Sequence, residues 1–220
     1  VATLGPATST KEILTELAFS GVNVFRINFS HADYSDVKAK IDIIRELNSE
    51  FGYTTAILAD LQGPKLRVGV MQEDVVVNDG DLITFQTSDD IPGTAERVYM
   101  NYKEFPKDVN PGERILLDDG KLIFEVIKTD KNTEVEAKVI QGGPLKSKKG
   151  VNLPGTKVSL PCLTPKDEAD LYFGLDHGVD WVALSFVRKA SDIWDIKEKI
   201  KAYGKNTRVI AKIEKPEAID

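Results

Sequence analysis

Apolar positions along the chain change their period twice. Up to residue 60, short β-branched runs alternate with stretches in which apolar residues recur at helical spacing. Val1-Ala2-Thr3-Leu4 reads as a strand already under way, with no initiator Met before it. Ser9 with Glu12 forms a capping-box pattern; Ile13, Leu14, Leu17 and Ala18 then share one helical face, which Gly21 ends. Residues 23–29 read as a second strand. Asp33 caps a helix with Val37, Ile41, Ile44 and Leu47 at helical spacing before Gly52, and residues 54–60 form a third strand.

From residue 65 to residue 161 the period shortens to two. Val135, Ala137 and Val139 alternate with Glu134, Glu136 and Lys138, and Asp119-Gly120 between two apolar runs is a hairpin signal. Strand and helix alternation then resumes. Thr164 caps a helix with Pro165 at its first position, Gly178 closes it, and residues 179–186 follow as a strand. Ser191 starts a helix with Ile193, Ile196, Ile200 and Tyr203 on one face, and residues 208–214 make a fifth strand. The class predicted is α/β: five parallel strands linked by helices (1–64 and 162–220), interrupted after the third strand by an all-β module (65–161) of small-barrel or sandwich type. An open doubly wound sheet and part of a closed (β/α)8 barrel fit this order equally well. Both ends read as cut, so the fold is expected to be incomplete.

Composition narrows the function. The 220 residues carry 29 basic and 35 acidic side chains, a net charge of −6, with no overall basic field to attract nucleic acid or anionic lipid. Mean hydropathy is −0.23, and no apolar run nears the roughly 18 residues of a membrane span. The single cysteine, Cys162, closes no intramolecular disulfide and builds no zinc site, which points to a reducing, cytoplasmic setting. Cys162 reads as an inert thiol, Trp181 and Trp194 as packing residues, and His177 as a helix-end residue.

In parallel α/β folds, reactive groups collect at the carboxyl ends of strands. There the second strand offers Arg26, Asn28 and Ser30 on one face, the third ends at Asp60, the fourth at Ser185-Phe186 and the fifth at Lys212-Ile213-Glu214. Arginine, lysine and carboxylates without a His/Cys cluster favour a phosphorylated anion and a hard metal ion. No Walker motif or G-x-G-x-x-G is present to hold a nucleotide. Taken by themselves, Arg26, Asn28 and Ser30 fit a solvated strand end equally well, and Lys212 with Glu214 fits a structural ion pair.

Five separated motifs resemble the pyruvate kinase family, in family order: Thr3-Leu4-Gly5-Pro6-Ala7, residues 23–31, Lys148-Lys149-Gly150-Val151-Asn152-Leu153-Pro154-Gly155, Ser185-Phe186-Val187-Arg188 and Lys212-Ile213-Glu214. The resemblance implies a (β/α)8 barrel, of which this chain supplies about five of eight strands, and an inserted β-barrel lid. It implies transfer of a phosphoryl group from phosphoenolpyruvate to ADP, giving pyruvate and ATP, in a longer, cytoplasmic, homotetrameric parent with no nucleic-acid or membrane partner. The 220 residues alone are expected to be inactive.

By the same resemblance, Lys212 stabilises the group in transfer and the enolate, Arg26 holds the phosphoryl group, and Glu214 binds Mg²⁺ or Mn²⁺. Asn28, Ser30, Asp60 and the Leu61 carbonyl take monovalent-cation positions, while Pro6, His31, Tyr34, Arg67 and Lys149 fall where ADP or ATP is contacted. Members that need K⁺ read Asp-Thr-Lys-Gly-Pro-Glu where this chain reads Asp60-Leu61-Gln62-Gly63-Pro64-Lys65. A carboxylate has become an ammonium, and the expectation is that Lys65 makes K⁺ dispensable. Two other classes compete: another Mg²⁺-dependent barrel enzyme of pyruvate enolates (an aldolase or lyase), and a non-catalytic β-barrel binding module.

Overall fold

The structure, a computed structural model, describes residues 1–214 and 218–219. In chain order the elements are β1 (Ala2–Thr3), α1 (Lys11–Phe19), β2 (Val24–Asn28), α2 (Tyr34–Phe51) and β3 (Ala56–Asp60). Then come β4 (Val76–Val77), β5 (Leu82–Gln86), β6 (Arg97–Tyr99), the one-turn α3 (Phe105–Asp108), β7 (Arg114–Leu117), β8 (Leu122–Thr129), β9 (Glu134–Gln141), β10 (Gly143–Pro144) and β11 (Val151–Asn152). Last are α4 (Pro165–Asp176), β12 (Trp181–Leu184), α5 (Ala190–Ala202) and β13 (Arg208–Ala211). The chain divides into two compact units, Val1–Pro64 with Pro161–Asp220, and Lys65–Leu160.

The first unit is a five-stranded, all-parallel sheet in the order β1-β2-β3-β12-β13. One face of these strands is apolar and packed against helices: Phe25, Ile27, Ile57, Ala59, Val182 and Leu184, matched by register, are all buried on it. The helices present Leu14, Val37, Ile41, Ile44, Leu47, Leu171, Leu175, Ile196 and Ile200 to the same core. Helices α1, α2 and α4 begin where a side chain takes up free amides of the first turn. The Asp33 carboxylate accepts from Ser35 N (2.9 Å) and Asp36 N (3.2 Å) at α2, which ends at Gly52 in the left-handed conformation (φ 69°).

Two helix-start readings change. Thr10, not Ser9, caps α1: Thr10 is extended and its hydroxyl accepts from Ile13 N, while the Ser9 hydroxyl donates back to Pro6 O. Helix α5 starts before Ser191, at Ala190, because the Asp192 carboxylate reaches back to Lys189 N (3.2 Å) and lets the chain enter the helix earlier. Trp194 is 62% exposed rather than packed, with Lys197 Nζ 5.4 Å from its ring centroid. Strand β13 stops at Ala211, so Lys212 and Glu214 lie in the segment beyond it.

The second unit is all-β apart from α3. Its six-stranded sheet runs β11-β7-β8-β9-β5-β6, antiparallel except for β5 with β6, and β4 pairs separately with β10. The Asp119-Gly120 signal is the β7–β8 turn, and β9 buries Val135, Ala137 and Val139 as its alternation requires. Residues 66–69 bond to both edges of the sheet. Val151 N donates to Leu66 O and Val68 N to Lys149 O on one side; on the other, Gly69 N donates to Tyr99 O and Asn101 N to Arg67 O. Edge-to-face contacts of Phe85 with Phe105 (5.9 Å) and Phe124 (5.3 Å) fill the centre.

Asp167 ties the start of α4 to the loop after β3. Fully buried, it accepts from Thr164 N (3.0 Å), Thr164 Oγ1 (2.5 Å) and, across the fold, Gly63 N (3.0 Å). Asp167→Ala strands these donors and is expected to destabilise the first unit by about 2–4 kcal/mol. Both tryptophans belong to that unit, so urea unfolding followed by tryptophan fluorescence reads the loss directly.

Candidate active site

Backbone register brings four strand ends together. Asn28 pairs with Asp60, Asp60 with Ala183, and Leu184 with Ala211, so β2, β3, β12 and β13 finish side by side. Asp60 lies at the centre, its side chain only 5% exposed. A carboxylate so withdrawn from water loses several kcal/mol of hydration and needs counter-charge. Two cations supply it. Arg26 donates to Asp60 Oδ2 through Nε (2.7 Å) and again through Nη2, and its Nη1 reaches Thr3 Oγ1 (2.9 Å). Lys212 Nζ lies 3.1 Å from Asp60 Oδ1 and 3.4 Å from Oδ2.

Ser185 links the next layer. It is buried; its hydroxyl donates to Leu61 O (2.6 Å) and accepts from Lys212 Nζ (2.9 Å). Glu214 lies 3.7 Å from Lys212 Nζ through Oε1, while its Oε2 accepts from Phe186 N at 3.0 Å. The cluster therefore holds two cations and two carboxylates, with both cations about 30% exposed. Arg26 and Lys212 are anchored from behind by Asp60 and open to solvent in front, an arrangement suited to gripping an anion.

The remaining candidates divide. The two-residue alternation that set Arg26, Asn28 and Ser30 on one face ends at Asn28, because residues Phe29–His31 form a 3-10 turn. Asn28 Oδ1 accepts Ser30 N (3.0 Å) and so caps that turn. Pro6 opens another 3-10 turn, Pro6–Thr8. Tyr34 donates its hydroxyl to the buried Asp170 (2.8 Å) and stacks on Phe173 at 4.2 Å, and burial with that carboxylate pushes its phenol up to about 12. The His31 side chain lies outside the described residues. Arg67 and Lys149 belong to the second unit, which brings them together: Val68 N bonds Lys149 O, Arg67 Nη1 donates to Lys148 O (2.6 Å), and Lys149 pairs with Asp118 (3.1 Å). Lys65 is in that unit too, and exposed. Among the described residues no three His, Cys, Asp or Glu side chains gather as a metal cluster.

Sequence reasoning gave no role to Thr3, Asp167 or Asp170, and marked Ser185 only as a polar strand end. The Thr164-x-x-Asp167 spacing is itself a capping-box signal that points to Asp167. Asp170 carried a weaker one: Lys166 four residues earlier forms an ion pair with it (2.6 Å) and also donates to Phe29 O (2.8 Å), holding the turn after β2.

Comparison with known proteins agrees with the motifs. The family model described as pyruvate kinase, barrel domain, matches residues 1–220. A pyruvate kinase of Staphylococcus saprophyticus is 44% identical over 223 residues, covering 100% of this chain and 38% of that protein. Pyruvate kinase 2 of Synechocystis is 48% identical with the same coverage, and a Clostridium perfringens pyruvate kinase is 41% identical over 99% of this chain and 46% of its own length. The chain thus spans less than half the length of these relatives. With the family match running from the first residue to the last, and all the quoted motifs inside it, this chain belongs to the pyruvate kinase family.

Proposed function

We propose that the longer protein containing this chain transfers the phosphoryl group of phosphoenolpyruvate to ADP, yielding pyruvate and ATP. The observation that carries this reading is the convergence of Arg26 and Lys212 on one buried carboxylate. Asp60 fixes both cations before any substrate arrives, so little reorganisation is needed when the phosphoryl dianion enters. Arg26 grips phosphoryl oxygens through its planar fork. Lys212 sits where charge grows on the transferring group and on the enolate oxygen. As the terminal ADP oxygen bonds to phosphorus, the bond from phosphorus to the enolate oxygen breaks, and the enolate then takes a proton at its methylene carbon to become pyruvate.

Glu214 would hold a divalent cation. Its Oε1 is engaged only at 3.7 Å, and a lone carboxylate suits Mg²⁺, which keeps waters and takes phosphate oxygens beside one or two carboxylates. When bound, that ion adds positive charge against the phosphoryl oxygens. Arg67 and Lys149 are read as nucleotide contacts of the second unit, with Pro6, His31 and Tyr34 on the first. The hydrogen bonds of residues 66–69 to both sheet edges support reading the second unit as a small closed barrel, and the parallel sheet supports reading the first as part of an eight-stranded one. The same reading makes the parent a cytoplasmic homotetramer, and the acidic net charge argues against a nucleic-acid partner.

A coupled assay of the full-length protein for pyruvate from phosphoenolpyruvate and ADP tests the reading. Activity is expected, and Lys212→Ala should lower kcat by roughly 10²–10³-fold, the usual loss for one stabilising donor. No pyruvate from the full-length protein would overturn the assignment.

Lys65 is proposed to supply the charge that K⁺ brings elsewhere in the family. At fixed ionic strength, replacing K⁺ by tetramethylammonium is expected to leave the wild type within a few-fold, while Lys65→Glu becomes K⁺-dependent by about a hundredfold, under 3 kcal/mol at about 1.4 kcal/mol per decade. A hundredfold loss in the wild type would refute this role.

A further inference from the structure

The turn joining β12 to α5 has a conformation that its sequence alone does not favour. Phe186 has φ 56°, in the left-handed region that costs a side-chain-bearing residue about 1–2 kcal/mol. Such a conformation persists where its surroundings hold it, and here they hold it from two sides. On one side is Gly63 (φ 71°), where an added Cβ would stand 2.9 Å from both Phe186 Cδ2 and Ser185 Cβ. On the other is Cys162, whose buried Sγ lies 3.1 Å from Phe186 O and 3.0 Å from Asp192 Oδ2. Asp192 also accepts from Arg188 N (3.0 Å) and Lys189 N (3.2 Å), fixing the rest of the turn.

The left-handed residue aims its amide at Glu214 Oε2 (3.0 Å). Its neighbours face the same segment: Ser185 Oγ accepts from Lys212 Nζ (2.9 Å), and Val187 N donates to Lys212 O (3.2 Å). Three consecutive residues thus contact Lys212 and Glu214 just past the end of β13, where Lys212 N still donates to Leu184 O (3.0 Å). We propose that the Phe186 turn is the positioning device for Glu214, and that Gly63 and Cys162 are the positioning residues that keep it left-handed. Cys162 acts as a neutral S–H donor, since burial, with Asp192 beside it, pushes the thiol up to about 11.

The inference rests on the reading of Glu214 as a ligand to a divalent cation, and the test separates the two. In the full-length protein without substrates, Mn²⁺ affinity is measured by direct titration, and amide exchange of the peptide covering 185–189 by mass spectrometry. Cys162→Ala is expected to weaken Mn²⁺ binding about two- to tenfold, the span of one neutral hydrogen bond, and to speed exchange in that peptide. Cys162→Ser, which keeps a donor, should return both to within twofold of wild type, and Gly63→Ala should shift both in the direction of Cys162→Ala. Glu214→Gln is the reference. If it leaves Mn²⁺ affinity unchanged, the metal-ligand reading fails and the inference with it. If Glu214→Gln abolishes binding while folded Cys162→Ala matches wild type in affinity and exchange, the positioning inference alone is overturned.

Discussion

The geometry of the first unit's chemical end depends on keeping the Asp60 carboxylate out of water. A lone carboxylate at that depth would be driven to take up a proton or to pull the strand ends apart. Arg26 from β2 and Lys212 from beyond β13 prevent this by donating to both of its oxygens. The pairing works in both directions: two cations that would repel each other are held within reach of one anion site. Removing either cation would cost more than the net worth of its contact, because the partner left behind is buried.

Carboxylates organise the first unit well beyond the site itself. Asp33 opens α2, Asp167 opens α4 and ties Gly63 to it, and Asp192 gathers the turn before α5. Asp180 accepts Ile57 N (2.7 Å) and pairs with Arg45 (2.8 Å), joining the starts of neighbouring strands to α2. Each takes up backbone donors that neither helix nor strand can satisfy, at the points where the chain changes direction. Loops so pinned can carry precise side-chain geometry, as the Ser185–Phe186 turn does for Lys212 and Glu214.

The two units are stabilised by different means. The first packs the apolar face of its strands against its helices and leaves its polar groups at the strand ends. The second relies on alternating strands around an aromatic centre, with its own core and its own hydrogen-bonded edges. Its polar network is local as well: Tyr102 and Ser159 both bond Asp108, so a phenol, a carboxylate and a backbone amide are satisfied within that unit.

Much of this was legible in the chain. Helix α2, from Asp33 to Gly52, follows from one capping carboxylate, four apolar residues at helical spacing and a glycine, all local signals. The β7–β8 hairpin follows equally from Asp119-Gly120. The sequence reading slipped by one residue at two helix starts, where Thr10 caps in place of Ser9 and Asp192 reaches back to Lys189 N ahead of Ser191, differences that spacing cannot resolve. The residue types at the strand ends, and hence the class of chemistry, were also written in the sequence. Only the tertiary structure decided their partners. Arg26 and Asp60 lie 34 positions apart and Lys212 and Asp60 lie 152 apart, and their meeting depends on which strands neighbour each other and in what register. The left-handed turn at Phe186 belongs to the same category: an unfavourable local conformation that persists because residues distant in the chain pack and bond against it.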